Sequence, residues 1–211
     1  MKYINNADIL SYEKQYRANL INCLSGFKGA HLVGTADGNG FSNLAIFSNV
    51  FHLGANPPLM GLINRPDSVN RGTLENIRNS GVYTLCNVTD KMKPQAHQTS
   101  ARYAHEESEF GACGFTEEWI EGFAAPFVKE STLKIGLELR EIHNLEINGT
   151  HLVIGEVKHL WLDEQYLSAD GFFEHAAAGS IATVGLDAYH TVNSPTRFEY
   201  AKTDKPTTVL K

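Results

Sequence analysis

Residues 43–51 read N-L-A-I-F-S-N-V-F, residues 57–63 read P-P-L-M-G-L-I, and residues 73–78 read T-L-E-N-I-R. The first run is rich in residues that favour β-structure and predicts a strand. Because proline lacks a backbone N–H, the two prolines predict a turn before the apolar run that follows them, which is a second strand. Thr73 then fits the N-cap of a short helix, with Gly81 just beyond its end.

The segment before residue 43 predicts the first strand of a hairpin, in which residues 43–51 form the second strand. Residues 29–36 read as a strand, D-G-N-G at 37–40 supplies turn residues, and residues 43–51 return alongside. After the helix, residues 82–88 predict another strand. Short strands divided by turn signals, with no fixed-period repeat, indicate a mainly antiparallel β architecture with a few helices, built as a barrel.

A second hairpin is expected towards the C-terminus. Residues 133–147 and 151–161 both predict strands. Between them lies Asn148-Gly149, the dipeptide that supplies positive φ at both central positions of a type I′ turn. The turn therefore fixes which residues of the two strands face each other.

The β-pattern stops between residues 89 and 119, where charged and small residues dominate. This stretch predicts a helix at 94–103 and loop elsewhere. We therefore expect a single domain, residues 1–211, with a helical and loop insertion at about 90–125.

Composition excludes several classes of protein. The 211 residues carry a net charge of −6, so no basic field holds nucleic acid or an anionic membrane surface. No apolar run approaches the roughly 20 residues of a membrane-spanning helix, and the N-terminus lacks the apolar core of a signal peptide. The expected location is therefore the cytoplasm. Cys23, Cys86 and Cys113 form no CxxC pair, which predicts reduced thiols.

Several residues around the predicted helix start suit the binding of a phosphate. Ser48, Ser68 and Thr73 offer hydroxyl donors, and Arg65 and Arg71 offer planar cationic groups. The first turn of a helix adds free N–H groups and a positive dipole end. Taken one at a time, these residues equally fit a solvated surface and an ordinary helix cap, so their spacing alone leaves both interpretations open.

The order of these segments resembles the flavin reductase-like, flavoredoxin-like family of FMN-binding split barrels. In that family a strand N-x-A-x-F-S, here residues 43–48, is followed by P-P-L, here 57–59, and by T-L-x-N-I, here 73–77. Gly185 and Tyr189 also fit the closing G-x-x-x-Y pattern. Three segments in the right order are more specific than any one of them.

The resemblance implies a fold, a cofactor and an assembly. The fold is a mainly β, six-stranded antiparallel Greek-key split barrel with short helices. The cofactor is FMN, bound without a covalent link near the interface of a homodimer, with a small-molecule substrate. The implied cofactor-binding residues are Asn43, Ala45, Ile46, Phe47, Ser48, Asn64, Arg65, Ser68, Arg71, Thr73 and Tyr189. Arg71-Gly72 departs from the Lys-Asp of many relatives, and no catalytic residue is assigned.

Nine histidines invite a metal hypothesis, but the chain has no HExxH motif. His97 and His105 lie eight residues apart, which does not place them together on one helix face. We therefore predict no metal site. His175 and His190 either stabilise negative charge on a reduced flavin or are structural, and the sequence leaves both open.

The expected function is that of an NAD(P)H-dependent reductase of flavin, of ferric iron or of another small molecule, with hydride transfer to the flavin N5. NADH or NADPH is the expected co-substrate. The alternative is a non-enzymatic FMN-binding carrier that passes electrons to a protein partner. A pyridoxamine-phosphate-oxidase type of barrel needs a second basic cluster beside the flavin, and the sequence offers none.

Overall fold

The computed structural model describes residues 1–66, 72–104 and 106–210. The strands are β1 Lys28–Gly29, β2 His31–Ala36, β3 Ser42–Phe47, β4 Phe51–Ala55, β5 Pro58–Asn64, β6 Val82–Asn87, β7 Glu117–Glu118, β8 Phe127–Val128, β9 Leu133–Leu145, β10 Thr150–Leu162, β11 Ile181–Val184 and β12 Ala188–Thr191. The α-helices are α1 Asn6–Ser11, α2 Lys14–Cys23, α3 Thr73–Ser80, α4 Lys93–Gln98 and α5 Glu109–Cys113.

The main sheet is antiparallel, with the strand order β3-β2-β6-β9-β10-β5-β4. This confirms the predicted mainly β, antiparallel fold. The sheet has seven strands in the described residues, where the sequence predicted six. A separate three-stranded sheet, β1-β11-β12, brings the C-terminal part of the chain beside the segment that precedes β2.

The core lies on both faces of β2. Side chains of successive strand residues point to opposite faces, so Leu32 and Val33 enter two different apolar clusters. Leu32 packs with Phe110 and Phe127 of the segment between β6 and β9. Val33 packs in the cluster that holds Ile77 of α3. Burying an aliphatic side chain of this size contributes about 1.5–3 kcal/mol, so both clusters anchor the centre of the sheet.

The predicted strand at 43–51 is wrong in its extent, because the chain breaks into β3 and β4 there. Asn49 lies in the break. Its side-chain amide donates to the Ile63 carbonyl at 2.7 Å and accepts from the Ile63 N–H at 3.3 Å, which replaces strand pairing at that point. β5 begins at Pro58, within the predicted turn, since a proline is tolerated as the first residue of a strand.

The start of α3 also differs from the prediction. Thr73 is the first residue of the helix, and the N-cap is Gly72, which has a φ of +40°. The Thr73 hydroxyl accepts a hydrogen bond from Asn43 and does not cap the helix. The predicted end is confirmed, because Gly81 caps α3 in the left-handed conformation.

The C-terminal hairpin is confirmed as β9 and β10, but its turn is not of type I′. Gly149 has a φ of +71°, whereas Asn148 does not have a positive φ. The loop spans residues 146–149, and the Gly149 N–H closes it by donating to the Leu145 carbonyl at 2.8 Å. A four-residue loop closed in this way needs only one left-handed residue.

The predicted insertion connects two strands that pair directly, β6 and β9. It holds α4, α5 and the small β7–β8 sheet. α4 ends at Gln98, short of the predicted Tyr103, and the hydroxyl of the following Thr99 donates to the Ala96 carbonyl at 2.8 Å. No helix within the described residues has the length and apolar character needed to cross a membrane.

Candidate functional site

A groove of about 360 Å³ lies between two walls that come from distant parts of the chain. One wall is the end of β3 and of β5, together with the start of α3. The other wall is formed by the segment around α4 and by the β11–β12 hairpin. Its volume is in the range of about 300–1,000 Å³ that is usual for small-molecule sites.

The groove gathers most of the predicted cofactor residues. Those that line it are Ala45, Ile46, Phe47, Ser48, Asn64, Arg65, Thr73 and Tyr189. Asn43 lines a neighbouring, smaller pocket and reaches the groove only through its bond to Thr73. Ser68 and Arg71 lie outside the described residues.

The outer edge of β3 presents backbone groups to the groove. The Leu44 N–H points away from β2, since it donates to the Glu109 carboxylate at 3.0 Å. Leu44 faces Gly34 and Ile46 faces Leu32 in the antiparallel register. Backbone groups alternate sides along an antiparallel strand, so the Ile46 N–H and C=O point to the same outer edge. Because Ile46 lines the groove, its backbone N–H can donate to, and its C=O can accept from, the polar edge of a planar ligand.

Two other components of this wall suit an anion. Arg65 is exposed and follows directly after β5. The first turn of α3 lies at the same groove through Thr73, and its N-cap Gly72 has no side chain to occupy the free N–H groups. A Cβ at Gly72 would lie 2.8 Å from the Asn43 Oδ1, so the backbone approaches its neighbours closely here. A cation and a helix N-terminus that line the same groove favour a phosphate.

The second wall contains residues that sequence reasoning missed. They are His97, Thr99 and Ser100 near α4, and Thr183, Gly185, Leu186 and Asp187 of the β11–β12 hairpin. His97 and Tyr189 are 92 positions apart, yet the His97 Nδ1 and the Tyr189 hydroxyl lie 2.9 Å apart. No local sequence pattern predicts this contact, because the sequence suggested His97 only as a candidate metal ligand.

Burial, and secondarily the charge of Asp187, raises the pKa of Tyr189. Its phenol therefore stays protonated at neutral pH and keeps a hydrogen to donate. Tyr189 also packs against the larger apolar cluster, which holds its ring in place at the groove wall.

His175 and His190 do not line the groove. His175 lies at a separate cavity of about 310 Å³, which His31 also lines, and its Nδ1 is 3.0 Å from the Ser180 hydroxyl. His190 is exposed and packs edge-on against Phe27 at 4.9 Å between ring centroids. Across residues 1–66, 72–104 and 106–210, no group of three or more His, Cys, Asp or Glu side chains is arranged to hold a metal ion.

Fold and groove together describe a mainly antiparallel β-protein whose groove is lined by apolar side chains, an open strand edge and a cationic residue. Residues 24–177 match the model of the flavin reductase like domain family. No protein with curated annotation matches the chain.

Solved structures with the same fold cover nearly the whole chain. A candidate flavin reductase with a split barrel domain from Shewanella frigidimarina NCIMB 400 is 48% identical, covers 95% of this chain and 100% of its own, and has a TM-score of 0.92. Nitrilotriacetate monooxygenase component B from Bacillus cereus is 21% identical, with coverage of 92% and 96% and a TM-score of 0.79. Flavoredoxin of Desulfovibrio vulgaris (Miyazaki F) is 21% identical, with coverage of 97% and 98% and a TM-score of 0.71.

The chain belongs to the flavin reductase-like split-barrel family. Membership confirms the resemblance drawn from residues 43–48, 57–59 and 73–77. It makes the protein a flavin-related oxidoreductase with a flavin cofactor. The structures that are 21% identical support the fold alone.

Proposed function

We propose that the groove binds FMN without a covalent link and that the protein uses NADH or NADPH to reduce flavin or another small molecule. The observation that carries this proposal is that Arg65, the first turn of α3 and the open edge of β3 all line one groove. When bound, FMN supplies the redox chemistry by accepting a hydride at N5.

The phosphate end of the proposed site is Arg65 and the start of α3. The Arg65 guanidinium donates charge-assisted hydrogen bonds to a dianion, and the helix N-terminus adds backbone donors without a further charge. Thr73 is 3% exposed, and its hydroxyl accepts from Asn43, so its own hydrogen is free to point towards the phosphate. Ser68 and Arg71 remain predicted phosphate ligands.

The ring end of the proposed site is the outer edge of β3. The Ile46 N–H and C=O face the groove and match the alternating donors and acceptors of the isoalloxazine rim. Phe47 and Ile63 add apolar contacts for the faces of the ring. The small side chain of Ala45 leaves room for close approach to the backbone. These residues orient the ring, and they neither donate nor accept the hydride.

The experiment that tests the function starts from the visible spectrum of the purified protein after addition of FMN. Binding is expected to give a spectrum shifted from that of free FMN. Anaerobic stopped-flow mixing with NADH, and separately with NADPH, then follows the loss of flavin absorbance. Rapid loss with one of them supports the reductase. Bound FMN that neither nicotinamide reduces would refute it and favour the electron carrier.

We also propose that the protein is a homodimer. α1 and α2 bury none of their residues within the chain, although Leu10, Tyr16 and Ile21 project from them. Leu24, just after α2, is 67% exposed. Large apolar side chains exposed along one segment of the chain favour burial against a partner surface, and a second copy with two-fold symmetry is the simplest partner. Sedimentation velocity at micromolar concentration checks this, and a monomer would contradict it.

A cytoplasmic location remains part of the proposal. The cysteines of the chain are free thiols, and Cys23 is exposed. An exposed free thiol is most compatible with a reducing compartment.

A further inference from the structure

Two side-chain hydrogen bonds among the described residues tie the insertion to the C-terminal sheet. The first tie joins His97 of α4 to Tyr189 of β12, with 2.9 Å between the Nδ1 and the hydroxyl oxygen. Their rings also meet edge to face, with centroids 5.7 Å apart. In the second tie, the Thr191 hydroxyl donates to the Asp90 carboxylate at 2.9 Å.

The two ties differ in their relation to the groove. His97 and Tyr189 both line it. Thr191 and Asp90 are exposed and are not among the groove-lining residues of the described chain. Asp90 is also held by Lys93 at 2.7 Å, so the outer tie has its own support. The pair at the groove can therefore be changed separately from the general attachment of the insertion to the sheet.

His97 and Tyr189 both belong to segments that pack on the apolar core. α4 is anchored by Ala96, which is 0% exposed in the core next to His97. Tyr189 is half-buried against the same cluster. The turn residues Gly185 and Asp187, which precede Tyr189, line the groove as well. The hydrogen bond therefore joins two groove-lining segments, α4 and the β11–β12 hairpin, that pack on the same apolar cluster.

We propose that His97 and Tyr189 are positioning residues that set the width of the groove at its ring end and so hold the isoalloxazine against β3. This inference rests on the proposed function, since it assigns the ring to the β3 end of the groove. It makes part of the insertion a component of the cofactor site. His97 acts through Tyr189 and the hairpin, and carries no chemical step.

The test compares two ligands and five variants. FMN and riboflavin share the ring and the ribityl chain, but only FMN has the phosphate. Their dissociation constants are measured by isothermal titration calorimetry with the flavin-free protein. The variants are His97→Ala, His97→Asn, Tyr189→Phe, the double variant of His97→Ala with Tyr189→Phe, and Thr191→Val as the matched control that removes only the outer tie.

Loss of one neutral hydrogen bond is expected to raise the dissociation constant about 3- to 10-fold. His97→Ala and Tyr189→Phe should each do so by the same factor for FMN and for riboflavin, and the double variant should be no weaker than the singles. Thr191→Val should leave both constants unchanged. His97→Asn, which retains a hydrogen-bonding group, should recover part of the loss.

Three results would overturn the inference. One is unchanged binding in both single variants while the wild type binds flavin. Another is weakening of FMN without weakening of riboflavin, which would place the effect at the phosphate. The third is an equal loss in Thr191→Val, which would show a general effect of loosening the insertion. A wild-type protein that binds neither ligand would refute the proposed function itself, and the positioning role with it.

Discussion

The Asn43 amide donates a hydrogen bond of 3.0 Å to the Thr73 hydroxyl and joins β3 to the first turn of α3. The same amide approaches Gly72, because a Cβ there would lie 2.8 Å from its oxygen. Strand, glycine and helix start are therefore packed as one unit at the groove. Asn43 therefore helps to hold the start of α3 in place at the groove, although it does not line the groove itself.

Replacement of Gly72 by alanine should destabilise the protein more than the same change at Gly81. Both glycines have positive φ, which costs an alanine about 1–2 kcal/mol. At Gly81 a Cβ meets nothing within 4 Å, whereas at Gly72 it meets Asn43 at 2.8 Å. Urea denaturation measures both free energies of unfolding. Equal losses would show that Asn43 moves aside freely.

Arg65→Ala should weaken FMN binding about tenfold or more, since it removes charge-assisted hydrogen bonds to the phosphate. Riboflavin binding should be unchanged. Lys129→Ala is the control, because it removes one exposed positive charge at the end of β8, away from the groove. Fluorescence titration gives both constants. A similar loss in the two variants would indicate a long-range charge effect and not a contact at Arg65.

Tyr83→Phe should raise the free energy of unfolding by about 1 kcal/mol. The Tyr83 hydroxyl is buried and has no hydrogen-bond partner among the described residues, and burial raises its pKa. Removing an unsatisfied polar group relieves its desolvation cost. Tyr103→Phe is the contrast, since that hydroxyl accepts from Gln98 at 3.0 Å and lies 3.4 Å from the Cys113 sulfur.

Tyr103→Phe should therefore be neutral or destabilising. Thermal and urea unfolding of the two variants settle the comparison. A destabilised Tyr83→Phe would mean that a buried water satisfies the hydroxyl.

Stability should fall as the pH drops below about 6.5. Burial, with a smaller contribution from His175, lowers the pKa of His31 from 6.5 to about 4. Between these values the unfolded chain binds the proton and the folded chain does not, so lower pH favours unfolding. The contribution of the lowered His31 pKa to the free energy of unfolding is complete above pH 6.5 and decreases towards pH 4, by about 3 kcal/mol in total.

His31→Gln removes this titration and should flatten the profile of unfolding free energy between pH 4.5 and 7.5. Replacement of the exposed His52 by glutamine is the control and should keep the wild-type slope. An unaltered slope in His31→Gln would assign the pH dependence to other groups.

The sequence predicts those parts of the fold that local pattern determines. The β2 segment and the β9–β10 hairpin follow from apolar strand patterns and turn residues. The break between β3 and β4 does not, because it depends on bonds from Asn49 to Ile63, 14 residues away. The turn at Gly149 differs from its predicted type because a longer loop closes through Leu145.

The residues of the candidate site show the same contrast between those that local pattern predicts and those that it does not. Residues 45–48 and Thr73, which line the groove, are predicted from sequence, because contiguous motifs contain them. His97 and Asp187 are not predicted as site residues from the sequence. The second wall of the groove is built from segments about 90 positions apart, and these come together only when α4 packs against the sheet. Asn43 is also predicted from sequence, but its hydrogen bond to Thr73 is not, since the motif shows the presence of the residue and not its contacts.

The carboxylate of Glu109 covers the N–H of Leu44 at the free edge of β3, while the edge at Ile46 faces the groove. An uncovered strand edge is a template on which another chain can add a strand. The bound ligand would then shield the part of the edge that α5 leaves open. Protein that lacks its cofactor should for this reason self-associate more readily during expression, and an ample flavin supply should raise the yield of well-dispersed protein.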